Sequence, residues 1–312
     1  MKLIYCILNL LFARKFFLIN SPFQFICFVE YINSKNSLFK KNDVIYIGYC
    51  SSLSKRQIKN INENIYKINL KIFYLDELFN IKVFHIILFI LKNIKRYFLF
   101  CVSGTYKYYL FYEFIKKSRK TILLDEGFDN ISILNDKKIV KIKNYQLFSF
   151  FNYKNNFLYL KKYFQIKKII NNKLVYCLGT SMFNNDSTKL SEHLKNISNK
   201  FKGKKIIYFP HRSENLSFLK KENLNIKIIN MPIELYLLKS KIIPKIVCGF
   251  YSTALICINF LFKDSYLKIY NINLNIDYMK IKGTHPDSGS YKQHILYRDY
   301  LTKHGIKNFY QS

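Results

Sequence analysis

Lys204-Lys-Ile-Ile-Tyr-Phe-Pro-His-Arg-Ser-Glu214 is the stretch that decides the fold. Ile206 to Phe209 is a short β-branched and aromatic run after Gly203 and two lysines, and it reads as a buried strand. Pro210 ends it, because proline has no N–H to give to a ladder. Four polar residues follow at once: His211, Arg212, Ser213 and Glu214. Open α/β sheets bind ligands at the carboxyl ends of their strands, so this cluster is a candidate site. The same residues also suit an ordinary strand-to-helix loop with Ser213 as the helix cap.

The pattern repeats on both sides. Upstream, strands are expected at Phe16–Asn20, Val44–Tyr49, Leu70–Leu75, Leu99–Ser103 and Thr121–Leu124, with helices between them. Downstream, Leu174–Leu178 is a strand ending in Gly179-Thr180-Ser181. Further strands follow at Ile226–Ile229, Ile246–Gly249 and Tyr266–Ile269, again separated by helices. Alternating strand and helix marks a parallel, doubly wound α/β sheet. Two such series suit two domains, which the length of 312 residues accommodates. The boundaries read as an apolar extension (1–14), a first Rossmann-like domain (15–150), a basic-aromatic interdomain segment (151–173) and a second Rossmann-like domain (174–312). The wider stretch Val140–Lys173 interleaves Tyr and Phe with Lys, lacks Gly and Pro, and is expected to be partly helical.

Composition narrows the classes. Half of the residues are hydrophobic, so a sizeable core can form. The net charge of +32 favours anionic partners such as a membrane surface or a charged glycolipid. Helix-turn-helix, zinc-finger and RNP signatures are absent, which disfavours nucleic acid. The seven cysteines are scattered without a CxxC pair, as reduced core residues are. Leu3–Ala13 is apolar and resembles a short signal h-region without a clear cleavage site. It also suits an added stretch upstream of a domain beginning near Lys15. No uncharged stretch reaches membrane-spanning length. Val83 to Phe98 is an apolar helix that suits the core or, with Lys92, Lys95 and Arg96 snorkelling, a membrane surface.

Three further sites carry chemistry. Asp125-Glu126-Gly127 follows a strand, where a carboxylate can act as a general base or simply sit in a turn. Gly249-Phe-Tyr-Ser252-Thr253 also follows a strand. Its two hydroxyls at a helix start make a phosphate site or a plain cap. Glu234 begins the preceding helix and can pair with its dipole or accept bonds from a ribose. Neither GxGxxG nor GxxxxGK[ST] occurs.

In this order the elements resemble bacterial sialyltransferases of GT-B type, above all the lipooligosaccharide sialyltransferases of glycosyltransferase family 52, with the bacterial polysialyltransferases related. The resemblance rests on Asn20-Ser21-Pro22-Phe23-Gln24, on Asp125-Glu126-Gly127, on Phe209-Pro-His-Arg-Ser-Glu214 and on Gly249-Phe-Tyr-Ser-Thr253. Arg212 stands where the family often has Pro, and Thr253 where it often has a second Ser. A literal His285-Pro286 falls outside the expected order.

The resemblance implies two facing Rossmann-like domains and an inverting transfer from CMP-sialic acid. Asp125 is then the base, with Glu126, Gly127, Ser21, Pro22 and Gln24 near the acceptor. His211, Ser252 and Thr253 hold the leaving phosphate, Glu234 the ribose, and Arg212, Ser213, Gly179 and Thr180 line the donor site. The acceptor is a lipid-linked oligosaccharide or other glycan, with galactose as the expected terminal sugar. No cofactor and no metal are expected. Dimers occur in the family, so a homodimer is allowed. The expected location is cytoplasmic, peripheral on the inner face of the inner membrane. Another CMP-nonulosonic acid or nucleotide sugar, or a non-catalytic basic protein binding glycolipid or nucleic acid, remains open.

Overall fold

The computed structural model describes residues 1–34, 43–66, 71–94, 96–103, 109–124, 145–148, 167–180, 183, 186–212, 214–219, 225–263, 265–273, 284–285 and 289–310. The chain divides into two units, Met1–Tyr163 and Phe164–Ser312.

The first unit is built on six parallel strands: β1 (Lys15–Ile19), β2 (Val44–Ile47), β3 (Lys71–Tyr74), β4 (Leu99–Ser103), β5 (Lys120–Leu124) and β6 (Tyr145–Phe148). Their order is β3-β2-β1-β4-β5-β6, the order of a dinucleotide-type Rossmann sheet. β1 is apolar at nearly every position because helices cover both faces of a parallel sheet. Helices α1 (Lys2–Phe12), α2 (Pro22–Ser34), α3 (Ser52–Ile61), α4 (Leu75–Leu78), α5 (Ile81–Ile94) and α6 (Tyr109–Lys117) flank it. One core joins Cys6 and Leu10 of α1, Phe84, Leu88 and Leu91 of α5, and Phe16, Leu18, Tyr46 and Phe100 of the sheet. The rings of Phe16 and Phe100 stack at 5.2 Å within it. The apolar N-terminal stretch is therefore a helix packed on the first sheet. Within the stretch expected to be partly helical, Tyr145–Phe148 is a strand paired with β5, and 140–144 and 149–166 lie outside the described residues. An aromatic run without a clear period takes the conformation that an open sheet edge offers.

The second unit has five parallel strands: β7 (Ile169–Leu178), β8 (Lys205–Phe209), β9 (Ile242–Gly249), β10 (Lys268–Asn273) and β13 (Lys307–Tyr310). The order β13-β10-β9-β7-β8 puts the direction reversal between β7 and β9. Helices α7 (Ser187–Lys200), α8 (Leu216–Leu219), α9 (Ile233–Lys239), α10 (Thr253–Leu261) and α11 (Tyr291–Lys303) pack around it. A separate two-stranded hairpin, β11 (Thr284–His285) and β12 (Gly289–Ser290), holds His285 outside the five-stranded sheet. The strand expected at Ile226–Ile229 reduces to a single bridge from Ile226 to Tyr208. Main-chain bonds Tyr208 N–H to Asn225 O and Lys227 N–H to Tyr208 O make that bridge. The pairing does not extend, and Ile228 stays exposed.

Six of the seven cysteines are buried and none is in a disulfide. Among the described residues, no helix is long and apolar enough to cross a membrane.

Candidate active site

Parallel register fixes the geometry of the second sheet's carboxyl edge. Leu178 at the end of β7 pairs with Phe209 of β8 on one side and with Gly249 of β9 on the other. The three segments that follow, Gly179–Thr180, His211–Glu214 and Phe250–Thr253, therefore leave the sheet side by side. The chain switches sides of the sheet between β7 and β9, and ligands of open α/β sheets bind at such a switch. A Cβ on Gly249 would lie 3.0 Å from the Leu178 Cβ, so the strands close tightly at this edge.

Glu214 organises this edge. Its Oε1 accepts the Tyr208 hydroxyl at 2.5 Å, and its Oε2 accepts the His211 main-chain N–H at 2.9 Å. The Glu214 N–H returns to the His211 carbonyl at 2.9 Å, closing a braced turn under the histidine. Thr180 adds a main-chain bond to the carboxylate. Burial nonetheless pushes the Glu214 carboxyl up to about 7, outweighing its three donors. Gly179 is required here: a Cβ would stand 2.2 Å from Glu214 Oε2 and 2.7 Å from Tyr208 Oη. His211 itself is half-buried and Arg212 is exposed.

Glu234 lies in the first turn of α9 and is buried. Burial raises its carboxyl to about 7, against a bond from its own main-chain N–H. α9 is held at its other end by the Lys168 ammonium, which donates to the carbonyls of Leu237, Leu238 and Ser240. A cation on the last carbonyls of a helix satisfies groups that have no partner within the helix.

Ser252 is the N-cap of α10, its Oγ accepting from Ala254 N–H at 3.3 Å, and Thr253 is the first helical residue. Before them, Tyr251 takes φ 45°, the left-handed region that is costly for a residue with a Cβ. Its N–H is held by Asn271 Oδ1 at 2.9 Å. Asn271 also donates to Asn273 at 2.7 Å and Asn308 at 3.0 Å, a buried amide network fixing the approach to the cap. Under the same loop, His193 of α7 packs between the rings of Phe183 and Phe250 at 4.8 and 5.8 Å. Burial lowers its imidazole to about 4, so it is neutral at pH 7.

In the first unit the Asn20–Gln24 loop follows β1 at that sheet's own reversal, between β1 and β4. Gln24 is fully buried. Its Oε1 accepts Asn20 N–H at 2.7 Å and its N–H donates to Ser21 Oγ at 3.2 Å. Ser21, Pro22 and Gln24 thus form one braced strand-to-helix turn. Asp125, Glu126, Gly127 and Ser213 lie outside the described residues. β5 ends at Leu124, at the carboxyl edge of the first sheet. His285 sits on the separate hairpin, and Pro286 is outside the described residues.

The structure brings Gly179, Thr180, His211, Arg212, Ser252 and Thr253 to one sheet edge, and buries Glu234 in the first turn of the helix before β9. It adds Tyr208, which sequence reasoning did not single out, and turns Glu214 from one member of the polar cluster into the group that braces it. The signal was present as a hydroxyl inside an otherwise aliphatic and Phe strand, six residues before an acid. Among the described residues, no three His, Cys, Asp or Glu side chains are grouped to hold a metal. The edge offers hydroxyls, an imidazole, a carboxyl and helix N–H groups, a set suited to a phosphate ester with a sugar attached.

Comparison with protein families and with curated proteins finds no match. Among solved structures, the chain is similar to a Vibrionaceae Photobacterium sp. JT-ISH-224 2,6-sialyltransferase, determined in a ternary complex with donor product CMP and acceptor substrate lactose. The TM-score is 0.50 at 10% identity, over 94% of this chain and 77% of that one. The fold is accordingly the two-unit, Rossmann-like α/β fold of GT-B type, similar to that of a sialyltransferase.

Proposed function

We propose that this chain is an inverting glycosyltransferase that moves sialic acid from CMP-sialic acid to a terminal sugar, galactose first among them, of a surface lipooligosaccharide or capsular glycan. Membership of the lipooligosaccharide sialyltransferases of family 52 is part of the same proposal. One observation carries it: His211 and the Ser252–Thr253 cap follow β8 and β9, the two strands that flank β7, at the carboxyl edge of the second sheet. The similar Photobacterium sialyltransferase was determined in complex with CMP and lactose.

In this reading the α10 N–H groups, Ser252, Thr253 and His211 hold the phosphate of CMP. The ribose hydroxyls donate to Glu234. Departure of CMP breaks the bond between sugar C2 and the phosphate oxygen, and the electron pair leaves with that oxygen. The acceptor hydroxyl forms the new bond from the opposite face and loses its proton to Asp125, so the anomeric centre inverts. Fixed donors aimed at the charge growing on the leaving phosphate lower the barrier. CMP carries one phosphate, and these groups suffice for it without a metal.

The test is CMP release by the purified full-length protein, measured with a panel of nucleotide sugars and a galactose-terminated acceptor. CMP release that depends on both CMP-sialic acid and the acceptor supports the reading. Turnover of a different CMP-nonulosonic acid or a nucleoside-diphosphate sugar moves the donor assignment. No turnover of any donor, with glycolipid binding retained, leaves a binding protein.

A further inference from the structure

We infer that α1 and α5 together form a docking face for a lipid bilayer carrying anionic headgroups. Both helices cover the same side of the first sheet. Cys6 and Leu10 of α1 and Phe84, Leu88 and Leu91 of α5 enter one core with Phe16, Leu18 and Tyr46. The Tyr97 hydroxyl, at the end of the α5 connection, donates to the Leu10 carbonyl at 3.2 Å and ties the two helices to one layer. Each helix then turns a second apolar row outwards. On α1 it is Ile4, Leu8 and Phe12, and on α5 it is Ile86, Ile90 and Ile94. Phe12 is 75% exposed and Ile94 69%, values far above those of core positions. Two neighbouring helices with such rows exceed the scattered apolar exposure that is normal for a protein surface.

The charge around these rows identifies the occupant. Neither helix contains an Asp or Glu. Lys2, Arg14, Lys82, Arg96 and Arg119 are exposed at the helix ends and on the adjoining segments. The guanidinium of the exposed Arg119 lies 5.1 Å from the ring centre of the exposed Phe98, while the Lys92 ammonium, on a buried residue, lies 4.1 Å from that of Phe89. A cation beside an exposed aromatic ring is how basic side chains sit at a membrane interface. An anionic leaflet matches this rim, and basic residues near it add to apolar insertion. A second copy of the chain would bring like-charged rims together, so self-association through this face is opposed.

The inference does not depend on the donor chemistry, and its test reads binding alone. The full-length protein is sedimented with vesicles of phosphatidylglycerol and phosphatidylcholine in equal parts, and with phosphatidylcholine alone. The chain has no tryptophan, so Phe12→Trp gives a unique fluorescence reporter of that position. The expected result is co-sedimentation with the anionic vesicles and a blue-shifted Phe12→Trp emission. Combining Ile4→Gln, Leu8→Gln, Ile86→Gln and Ile90→Gln is expected to weaken partitioning about tenfold or more, with an unchanged melting temperature because all four side chains are exposed. The single variant Ile4→Gln, whose melting temperature is checked the same way, serves if the combined one is unstable and should give a smaller loss of the same sign. Unchanged partitioning of folded variants overturns the inference. So does absence of vesicle binding with a concentration-dependent dimer that the same substitutions dissolve.

Discussion

The Tyr208 hydroxyl and the Glu214 carboxylate meet at 2.5 Å in the buried floor of the second sheet's carboxyl edge, and Gly179 is the residue that leaves them room. The His211 main chain hangs from the same carboxylate. Gly179→Ala would place a methyl 2.2 Å from Glu214 Oε2 and 2.9 Å from the His211 nitrogen, which is backbone and cannot swing away. We expect about 1–3 kcal/mol of lost stability in urea unfolding, the scale of overpacking a closed site. CMP affinity should fall with it. Tyr208→Phe should cost less, about 1–2 kcal/mol, because it strips one partner from a buried carboxyl. Wild-type stability in Gly179→Ala would show that the turn is free to move.

Glu214 and Glu234 also set a pH dependence. Each carboxyl is raised from 4.5 to about 7 by burial. The folded state therefore binds these protons more tightly than the unfolded chain, and stability falls as pH rises from about 4.5 to about 7. His193 works the other way. Lowered from 6.5 to about 4, it adds stability as pH rises across that interval. Two losses against one gain leave a net loss. Glu234→Gln should match the wild type near pH 4 and exceed it at pH 8, by up to about 3 kcal/mol. Chemical unfolding across that range measures it, and parallel curves for variant and wild type would remove Glu234 from the account.

Much of the fold is legible in the sequence. Apolar runs ended by Pro210, Gly179 and Gly249 gave the strands and placed the polar residues that follow them at one edge. What local pattern could not give was pairing. Ile226–Ile229 has the composition of a strand but finds only one bridge to Tyr208. Tyr145–Phe148 has an ambiguous period and becomes a strand because β5 offers its edge. Glu214 was legible as a member of the polar cluster but not in its bracing role, for a related reason. Its role comes from Tyr208 and Gly179, which are neighbours only after β7 and β8 pair.

Ser252 and Thr253 should separate under mutation. Ser252→Ala removes the α10 cap and should lower stability by about 1 kcal/mol. Thr253→Ala leaves the cap in place and should affect donor binding alone. Together the two changes are expected to weaken CMP binding by about 1–3 kcal/mol, the worth of hydrogen bonds to a charged group. Calorimetry that finds CMP affinity unchanged while stability drops would reduce the pair to a helix cap.

Chelation tests the donor class. With one phosphate on the leaving group, the imidazole of His211, two hydroxyls and the α10 N–H groups can carry its charge. Transfer should therefore persist in EDTA. Loss of activity that magnesium or manganese restores would point to a nucleoside-diphosphate sugar, whose second phosphate asks for a divalent ion.

The base is the last assignment to test, and it separates binding from chemistry. Asp125 follows the carboxyl end of β5 in the first unit, while the proposed CMP site belongs to the second. A base that only receives the acceptor proton contributes to the transition state and little to holding CMP. Asp125→Asn keeps the size of the side chain and removes its ability to take a proton. Transfer should fall by about 100-fold or more, the usual scale for a lost general base. CMP affinity by calorimetry should stay within about twofold, because the donor site is untouched. Near-normal transfer in Asp125→Asn would pass the role to Glu126. A parallel loss of CMP affinity would show instead that Asp125 acts on the donor.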